Sequence, residues 1–335
     1  MQRTRRRRFL LTAAALTVAP LARAQPPERL PALGLLFPNP TTSADADARE
    51  YIPRWLKALG WVEGRNIRLE FASAEGREER LPALADSLVA KGVDAIWVAG
   101  TEAALAAART TESIPIAFYG VGHPVEQGLV ESLAKPGRNV TGITSIAGLE
   151  WGKGLEALRE IVPSLRRLAR IRVLTVARHV SGREVSIRDN STEADALRMG
   201  FEIRRFGVAA PEHLDGAFAA ILESRPEGLM CDFTAMTFRE RHRIVGFANR
   251  NRLPSLFGAL PFVRDGGLVS YAADRSWMAQ HSFTFIDRIL RGARAADLPV
   301  ELPTRFELLV NLGTARALEL TVPESILLRA DRVYQ

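Results

Sequence analysis

Apolar residues recur along the chain in two alternating patterns, short runs and longer amphipathic segments. Residues 33–37 form an apolar run that predicts a buried strand, and apolar positions at helical spacing over 51–59 predict a helix. Residues 67–71 alternate apolar and polar positions, as a half-buried strand does. The alternation continues with strands predicted at 93–98, 114–118 and 140–143 and helices predicted at 81–89 and 103–109. This repeated strand–helix order predicts a parallel sheet covered by helices on both faces.

A second series of the same kind follows a turn-prone break at Lys135-Pro136-Gly137. Its predicted helices are 152–162, 186–200, 212–224, 236–250 and 275–292, and its predicted strands are 171–176, 201–206, 228–231, 254–257 and 268–271. Two similar α/β halves joined by short extended crossings predict two lobes with a cleft between them.

The first 24 residues have the pattern of an export signal. Residues 1–8 carry five arginines and no acid, residues 9–21 are almost wholly apolar or small, and Ala22-Arg23-Ala24 offers small residues for cleavage. The apolar run is shorter than the roughly 20 residues that a membrane-spanning helix needs. We therefore expect a signal peptide over 1–24 and a periplasmic protein. Arg6-Arg7-Arg8-Phe9-Leu10 fits the twin-arginine pattern, with an ordinary arginine-rich signal as the alternative.

Removal of that signal changes the charge balance. The six arginines of residues 1–24 account for six of the seven units of formal net charge, so the basic excess does not indicate nucleic-acid binding. Cys231 is the only cysteine, which excludes an internal disulfide, and its apolar neighbours predict a buried structural thiol. About 310 mature residues are consistent with two domains.

Ligands of parallel α/β sheets bind outside the carboxyl ends of the strands, which selects a few loops in this chain. Gly100 and Thr101 join a predicted strand to an alanine-rich helix. Gly100 permits a tight turn, and Thr101 is expected to cap the helix and to offer a hydroxyl beside free backbone N–H groups. Such a helix start favours a carboxylate or another anion. The alternative is that Thr101 only caps the helix.

Two further loops carry candidate ligand-binding residues. Tyr119, Gly120 and His123 follow the next strand; the glycines of this loop allow a ligand to approach the backbone, although a packing role for His123 stays open. The loop lacks the third glycine of a dinucleotide-binding fingerprint. In the other half, Asp232 is placed to receive an ammonium group and Phe233 to stack on an apolar group. The alternative for Asp232 is a cap on the following helix.

The sequence contains no recognisable catalytic motif. It has no G-x-S-x-G elbow, no H-E-x-x-H and no Walker loop, and its five histidines lack metal-ligand spacing. We therefore expect a binding protein without a metal or a cofactor rather than an enzyme.

Two distinctive motifs of the mature chain are Lys135-Pro136-Gly137-Arg138-Asn139-Val140-Thr141-Gly142 and Gly266-Gly267-Leu268-Val269-Ser270-Tyr271. Both resemble motifs of the ABC transporter substrate-binding family that includes tryptophan- and tyrosine-type binding proteins. The resemblance extends through residues 94–105, 114–118, 128–133, 296–308 and 311–329. One departure is Gly122-His123-Pro124, where the family often has Gly-Asp-Pro, so the ligand of the aromatic-type members does not transfer to this cleft.

The resemblance implies a type I periplasmic-binding-protein fold, with two doubly wound parallel-sheet lobes joined by three hinge crossings. Lobe one is expected at 30–142 and 274–303, and lobe two at 143–273 and 304–335. The implied function is that of a monomeric periplasmic protein that passes a small molecule, such as an amino acid or a related carboxylate, to an ABC permease in the inner membrane. The alternatives are a periplasmic module that presents its ligand to a sensor, and a secreted α/β enzyme.

Overall fold

The computed structural model describes residues 29–41, 47–145, 149–173, 177–181, 184–185 and 191–335. The predicted signal peptide at 1–24 lies outside the described residues, as do parts of the predicted strand 171–176 and helix 186–200. No helix in the described ranges is both long enough and apolar enough to cross a membrane.

The described strands form two large sheets and one hairpin. The strands are β1 Ala32–Phe37, β2 Arg68–Ser73, β3 Ala95–Ala99, β4 Ile116–Val121, β5 Val140–Thr144, β6 Arg167–Val173, β7 Ala177–Arg178, β8 Glu184–Val185, β9 Glu202–Val208, β10 Gly228–Cys231, β11 Ser255–Phe257, β12 Val269–Ala273, β13 Phe306–Asn311 and β14 Arg332–Tyr334. The helices are α1 Ala48–Ala58, α2 Leu81–Ala90, α3 Thr101–Thr110, α4 Leu149–Ile161, α5 Ser191–Arg198, α6 Leu214–Glu223, α7 Ala235–Arg239, α8 Arg241–Arg250, α9 Leu260–Arg264, α10 Arg275–Leu290, α11 Leu312–Ala317 and α12 Glu324–Arg329.

The first sheet has the strand order β2-β1-β3-β4-β5, and all its pairs are parallel. Its central strands β1 and β3 are buried along their whole length, because α2 and α3 cover one face and α1 and α10 cover the other. The residue pattern anticipates this arrangement, since strands buried on both faces are continuously apolar.

The second sheet has the order β14-β13-β12-β11-β10-β6-β9. The pairs of this sheet are parallel, as predicted, except that β12 and β13 are antiparallel and pair Ala273 with Phe306. The chain leaves this sheet at the carboxyl end of β12, adds α10 to the first sheet, and returns at residues 298–305. The chain re-enters the second sheet at the end where β12 left it, so β13 runs antiparallel to β12.

Three crossings join the two sheets, between β5 and α4, between β12 and α10, and before β13. The first and third crossings are hydrogen-bonded to each other. The Glu301 amide donates to the Gly142 carbonyl (2.9 Å), and the Thr144 amide donates to the Glu301 carbonyl (3.0 Å). The second and third crossings meet where the Asp274 amide donates to the Arg305 carbonyl (2.9 Å). The prediction of a two-lobed α/β fold is confirmed.

The elements differ from the sequence predictions in a few places. The single helix predicted at 236–250 is two helices, α7 and α8, because Glu240 departs from helical geometry (φ −88°, ψ 7°). The buried environment predicted for Cys231 is confirmed, because its side chain has no exposed surface. Burial raises the pKa of this thiol well above its usual value, so Cys231 is an unreactive core residue.

Candidate ligand-binding cleft

The loop after β3 places Gly100 and Thr101 at the edge of the first lobe. Gly100 occupies the N-cap of α3 with φ 81°, a conformation that favours glycine, and its amide donates to the Tyr119 carbonyl (2.9 Å). The prediction that Thr101 caps α3 is wrong, because Thr101 is already helical and no side chain caps this helix. The Thr101 hydroxyl instead accepts a hydrogen bond from the Gly122 amide (3.3 Å), so it ties two cleft loops together.

The end of β4 and the loop that follows it contain three more predicted residues, Tyr119, Gly120 and His123. The Tyr119 ring stacks on Trp97, with 5.2 Å between ring centroids and 18° between ring planes. Trp97 is 1% exposed and therefore provides a fixed support for Tyr119. Gly120 has φ 73°, and His123 has φ 52° with its Nδ1 4.0 Å from a carboxylate oxygen of Glu126.

The second lobe contributes the loop after β10. Both carboxylate oxygens of Asp232 accept hydrogen bonds from the guanidinium of Arg170, at 2.8 and 3.2 Å. Burial raises the pKa of Asp232, and the Arg170 charge acts in the opposite direction. Asp232 therefore has a charge partner within the protein, in contrast to the free ammonium acceptor that the sequence suggested. The alternative of a helix cap is also wrong, because Thr234 caps α7.

Arg275 connects the two lobes, and sequence reasoning missed it. Its guanidinium carbon lies 4.1 Å from the ring centroid of Phe233 and 5.5 Å from that of Tyr119. The guanidinium also lies 3.8 Å from the position that a Cβ on Gly120 would occupy. Arg275 is half-buried, and no described residue forms an ion pair or a hydrogen bond with its side chain. The sequence places Arg275 at the start of the predicted helix 275–292, shortly after the predicted strand 268–271. This place is not distinctive, because many other arginines occur along the chain.

A cavity of about 200 Å³ opens between the lobes. Its lining residues are Gly76, Glu78, Glu79 and Glu102 from the first lobe and Val173, Ala209, Ala210, Pro211, Thr234, Ala235, Met236 and Arg239 from the second. Arg239 of the second lobe contacts the first lobe. Its guanidinium donates to the Gly76 carbonyl (2.7 Å) and lies 4.0 Å from a carboxylate oxygen of Glu78. Burial raises the pKa of Glu102, and the negative charge of Glu78 raises it further.

The structure thus brings together most of the residues selected from the sequence. Gly100 bonds to Tyr119, and Tyr119 meets Phe233 through Arg275. Asp232 is not part of this group of contacts, because its carboxylate forms an ion pair with Arg170. None of the seven predicted residues lines the cavity that contains Glu102. No group of three metal-ligating side chains occurs in the part of the chain that the structure describes.

A two-lobed α/β fold with a cavity between its lobes can enclose a small molecule. The sequence model of the family described as "ABC transporter substrate binding protein" matches residues 43–334. The chain belongs to this family. The family resemblance seen in the sequence motifs is thereby confirmed, and this ABC transporter substrate-binding protein functions with a small-molecule ligand and an ABC transporter.

The individual relatives described below are at most 25% identical to this chain. The tyrosine-binding protein of Clostridioides difficile strain R20291 is 25% identical over 269 residues, which is 79% of this chain and 75% of that protein. The crystal structure of an ABC domain from Streptococcus pneumonia in complex with L-Trp has a TM-score of 0.79 at 21% identity, covering 91% of this chain and all of that one. A conserved domain protein from Vibrio cholerae O1 biovar El Tor has a TM-score of 0.80 at 23% identity with the same coverage.

Proposed function

We propose that the cleft of this substrate-binding protein captures an amino acid or a related small carboxylate, and that Arg275 receives the ligand's carboxylate. The observation that carries the proposal is the half-buried guanidinium of Arg275, which lies between rings of both lobes and has no ion-pair partner among the described residues. A partly desolvated charge is costly unless a partner compensates it.

The surroundings of Arg275 favour an anionic partner at the edge of the guanidinium. The rings of Tyr119 and Phe233 lie at 5.5 and 4.1 Å from the guanidinium carbon, within cation–π range, and such contacts leave the N–H donors free. A planar guanidinium with free donors binds carboxylates in bidentate fashion.

The same contacts connect ligand binding to closure of the lobes. Arg275 and Tyr119 belong to elements of the first sheet and its helices, whereas Phe233 follows a strand of the second sheet. A ligand held by Arg275 adds contacts that exist only when Phe233 is close, so it favours the closed state. We assign ligand contact to the loops of Gly100–Thr101 and Tyr119–His123 as well as to Phe233. Asp232 positions Phe233 through its ion pair with Arg170.

The remaining parts of the proposal follow from the family and the sequence. The protein is exported by its N-terminal signal and acts in the periplasm as a monomer. It passes its ligand unchanged to an ABC permease and does not catalyse a reaction. The lobes comprise 30–142 with 274–303, and 143–273 with 304–335. A tyrosine-binding relative and a solved structure containing L-Trp support an amino-acid ligand.

Isothermal titration calorimetry of the mature protein with amino acids and small carboxylates tests the role of Arg275. Loss of hydrogen bonds to a charged group costs about 1.5–3 kcal/mol, so Arg275→Met should weaken binding by about 10- to 150-fold. Arg288→Met is a matched control, because Arg288 is an exposed arginine of the same helix. Equal affinities of Arg275→Met and Arg288→Met would refute the proposal. Native mass spectrometry of the released ligand checks that it is chemically unchanged.

A further inference from the structure

Glu102 is one of three carboxylates that line the interlobe cavity. It is the second residue of α3, and its Oε2 lies 3.9 Å from the position of a Cβ on Gly100. Part of its surface faces the cavity between the lobes. No described side chain donates a hydrogen bond to Glu102 or forms an ion pair with it. A hydrogen bond from its own backbone compensates the carboxylate only in part, because burial still raises the pKa of Glu102.

The charged groups that face Glu102 do not supply an ion-pair partner. Glu78 and Glu79 line the same cavity and carry the same charge as Glu102. Arg239 is the only basic residue of the lining, and its guanidinium donates to the Gly76 carbonyl (2.7 Å) and lies 4.0 Å from Glu78. Burial and the charge of Glu78 raise the pKa of Glu102, while a hydrogen bond from its own backbone and the charge of Arg239 act in the opposite direction with smaller effect. The positive charge of Arg239 is therefore already engaged by the Gly76 carbonyl and Glu78, and the described lining carries three acidic residues against one basic residue.

Glu102 and Arg275 flank two adjacent strand ends. Glu102 lies beside Gly100, Arg275 lies beside Gly120, and the Gly100 amide donates to the Tyr119 carbonyl (2.9 Å). Glu102 lines the interlobe cavity, whereas Arg275 lies at the neighbouring strand end, outside the residues that line this cavity. We infer that Glu102 is a specificity-determining residue that binds a protonated amine of the ligand, so that the cleft selects molecules carrying both an amine and a carboxylate.

This inference rests on the proposed function, because it concerns the same cleft and assumes a carboxylate at Arg275. The protonated amine belongs either to an α-amino group or to a basic side chain. The wall opposite Glu102 consists of small and apolar residues such as Ala209, Ala210 and Met236, which leave both arrangements possible. The ligand panel distinguishes them, and either outcome supports an amine-binding role for Glu102.

The test compares three probes by isothermal titration calorimetry: an amino acid with an apolar side chain, the same molecule without its amino group, and an amino acid with a basic side chain. We expect Glu102→Gln to weaken binding of the amine-bearing probes by tenfold or more and to leave the affinity of the des-amino acid unchanged. Glu112→Gln is the matched control, because Glu112 is an exposed acid just beyond the other end of the same helix. It should behave as the wild type.

Proton exchange gives a readout that a purely structural role for Glu102 would not change. An ammonium group favours the charged carboxylate, so binding should release a proton where Glu102 is partly protonated. Affinity for an amine-bearing probe should then increase as the pH rises through the pKa of Glu102 in the free protein. Titrations in two buffers of different ionisation enthalpy measure this release, which should be absent in Glu102→Gln.

The outcomes separate the inference from the proposed function. If the wild type binds none of the probes, both are wrong. If it binds the amino acid and its des-amino form equally, and Glu102→Gln matches Glu112→Gln, then the role of Glu102 is wrong while the carboxylate site stands. Thermal unfolding checks that each variant is folded. Glu102→Asp keeps the charge, and it should retain part of the preference for amines if charge is the cause.

Discussion

Arg170 is a buried charge in the second lobe with two carboxylate partners. Its side chain is 2% exposed and donates to both oxygens of Asp232, at 2.8 and 3.2 Å, and to Glu193, at 3.0 Å. The ring of Trp151 lies 5.3 Å from its guanidinium carbon. Replacement by methionine keeps much of the apolar volume but leaves two carboxylates without this partner. We therefore expect Arg170→Met to destabilise the protein strongly.

The expected magnitude follows from the burial of the partners. Removing one member of a buried ion pair costs about 3–5 kcal/mol, because the remaining charge stays desolvated. Asp232 retains 18% exposure and Glu193 keeps its ion pair with Arg205, so the lower part of that range, about 3–4 kcal/mol, applies. For a lobe of this size, that loss lowers the Tm by about 6–16 °C.

Urea unfolding at pH 7 followed by circular dichroism measures the cost. Arg316→Met is the control, because Arg316 is an exposed helical arginine of the same lobe, and it should change the free energy of unfolding by less than about 0.5 kcal/mol. The double variant Arg170→Met with Asp232→Leu should be more stable than Arg170→Met alone, since it removes the orphaned charge.

The pH dependence gives an independent check. Burial already raises the pKa of Asp232, and the loss of Arg170 removes the charge that opposes this effect. An acid whose folded pKa is raised gains a proton more readily in the folded state, so the variant's penalty should shrink as the pH falls from 7 toward 5. A cost below about 1 kcal/mol, or a cost that neither acid nor Asp232→Leu reduces, would refute the reasoning.

Two further predictions concern the hinge and the first lobe. A Cβ on Gly142 would lie 2.0 Å from the Phe118 carbonyl oxygen, whereas nothing lies within 4 Å of one on Gly152 inside α4. Thermal unfolding should therefore show that Gly142→Ala is destabilised by at least about 2–3 kcal/mol and that Gly152→Ala is stabilised by about 0.5–1 kcal/mol. Equal Tm values for the two variants would contradict this explanation. Burial raises the pKa of Tyr51 to about 12, so the wild type should lose stability relative to Tyr51→Phe as the pH rises from 10 to 12, because the unfolded tyrosine ionises first. Urea unfolding at each pH measures the difference, and a constant difference would contradict burial of Tyr51 as the cause.

The sequence by itself determined the class of fold. Apolar runs and helical spacing record which local faces are buried, so the alternation of strands and helices, and even the bounds of β10 at Gly228–Cys231, followed from the residues alone. The same reasoning placed Gly100, Tyr119 and Phe233 at strand ends, where ligands of such sheets bind. The sequence motifs also identified the family.

Only the tertiary structure decided which charges are paired. Arg170 and Asp232 are 62 positions apart, and no local pattern indicates that they meet. Their pairing removes Asp232 as a free acceptor, while Arg275 and Glu102 form no ion pair with a described residue. The antiparallel β13 likewise depends on where the third crossing re-enters the sheet. Local periodicity reports burial along one element, but charge pairing and strand direction depend on distances between elements, which only the folded chain sets.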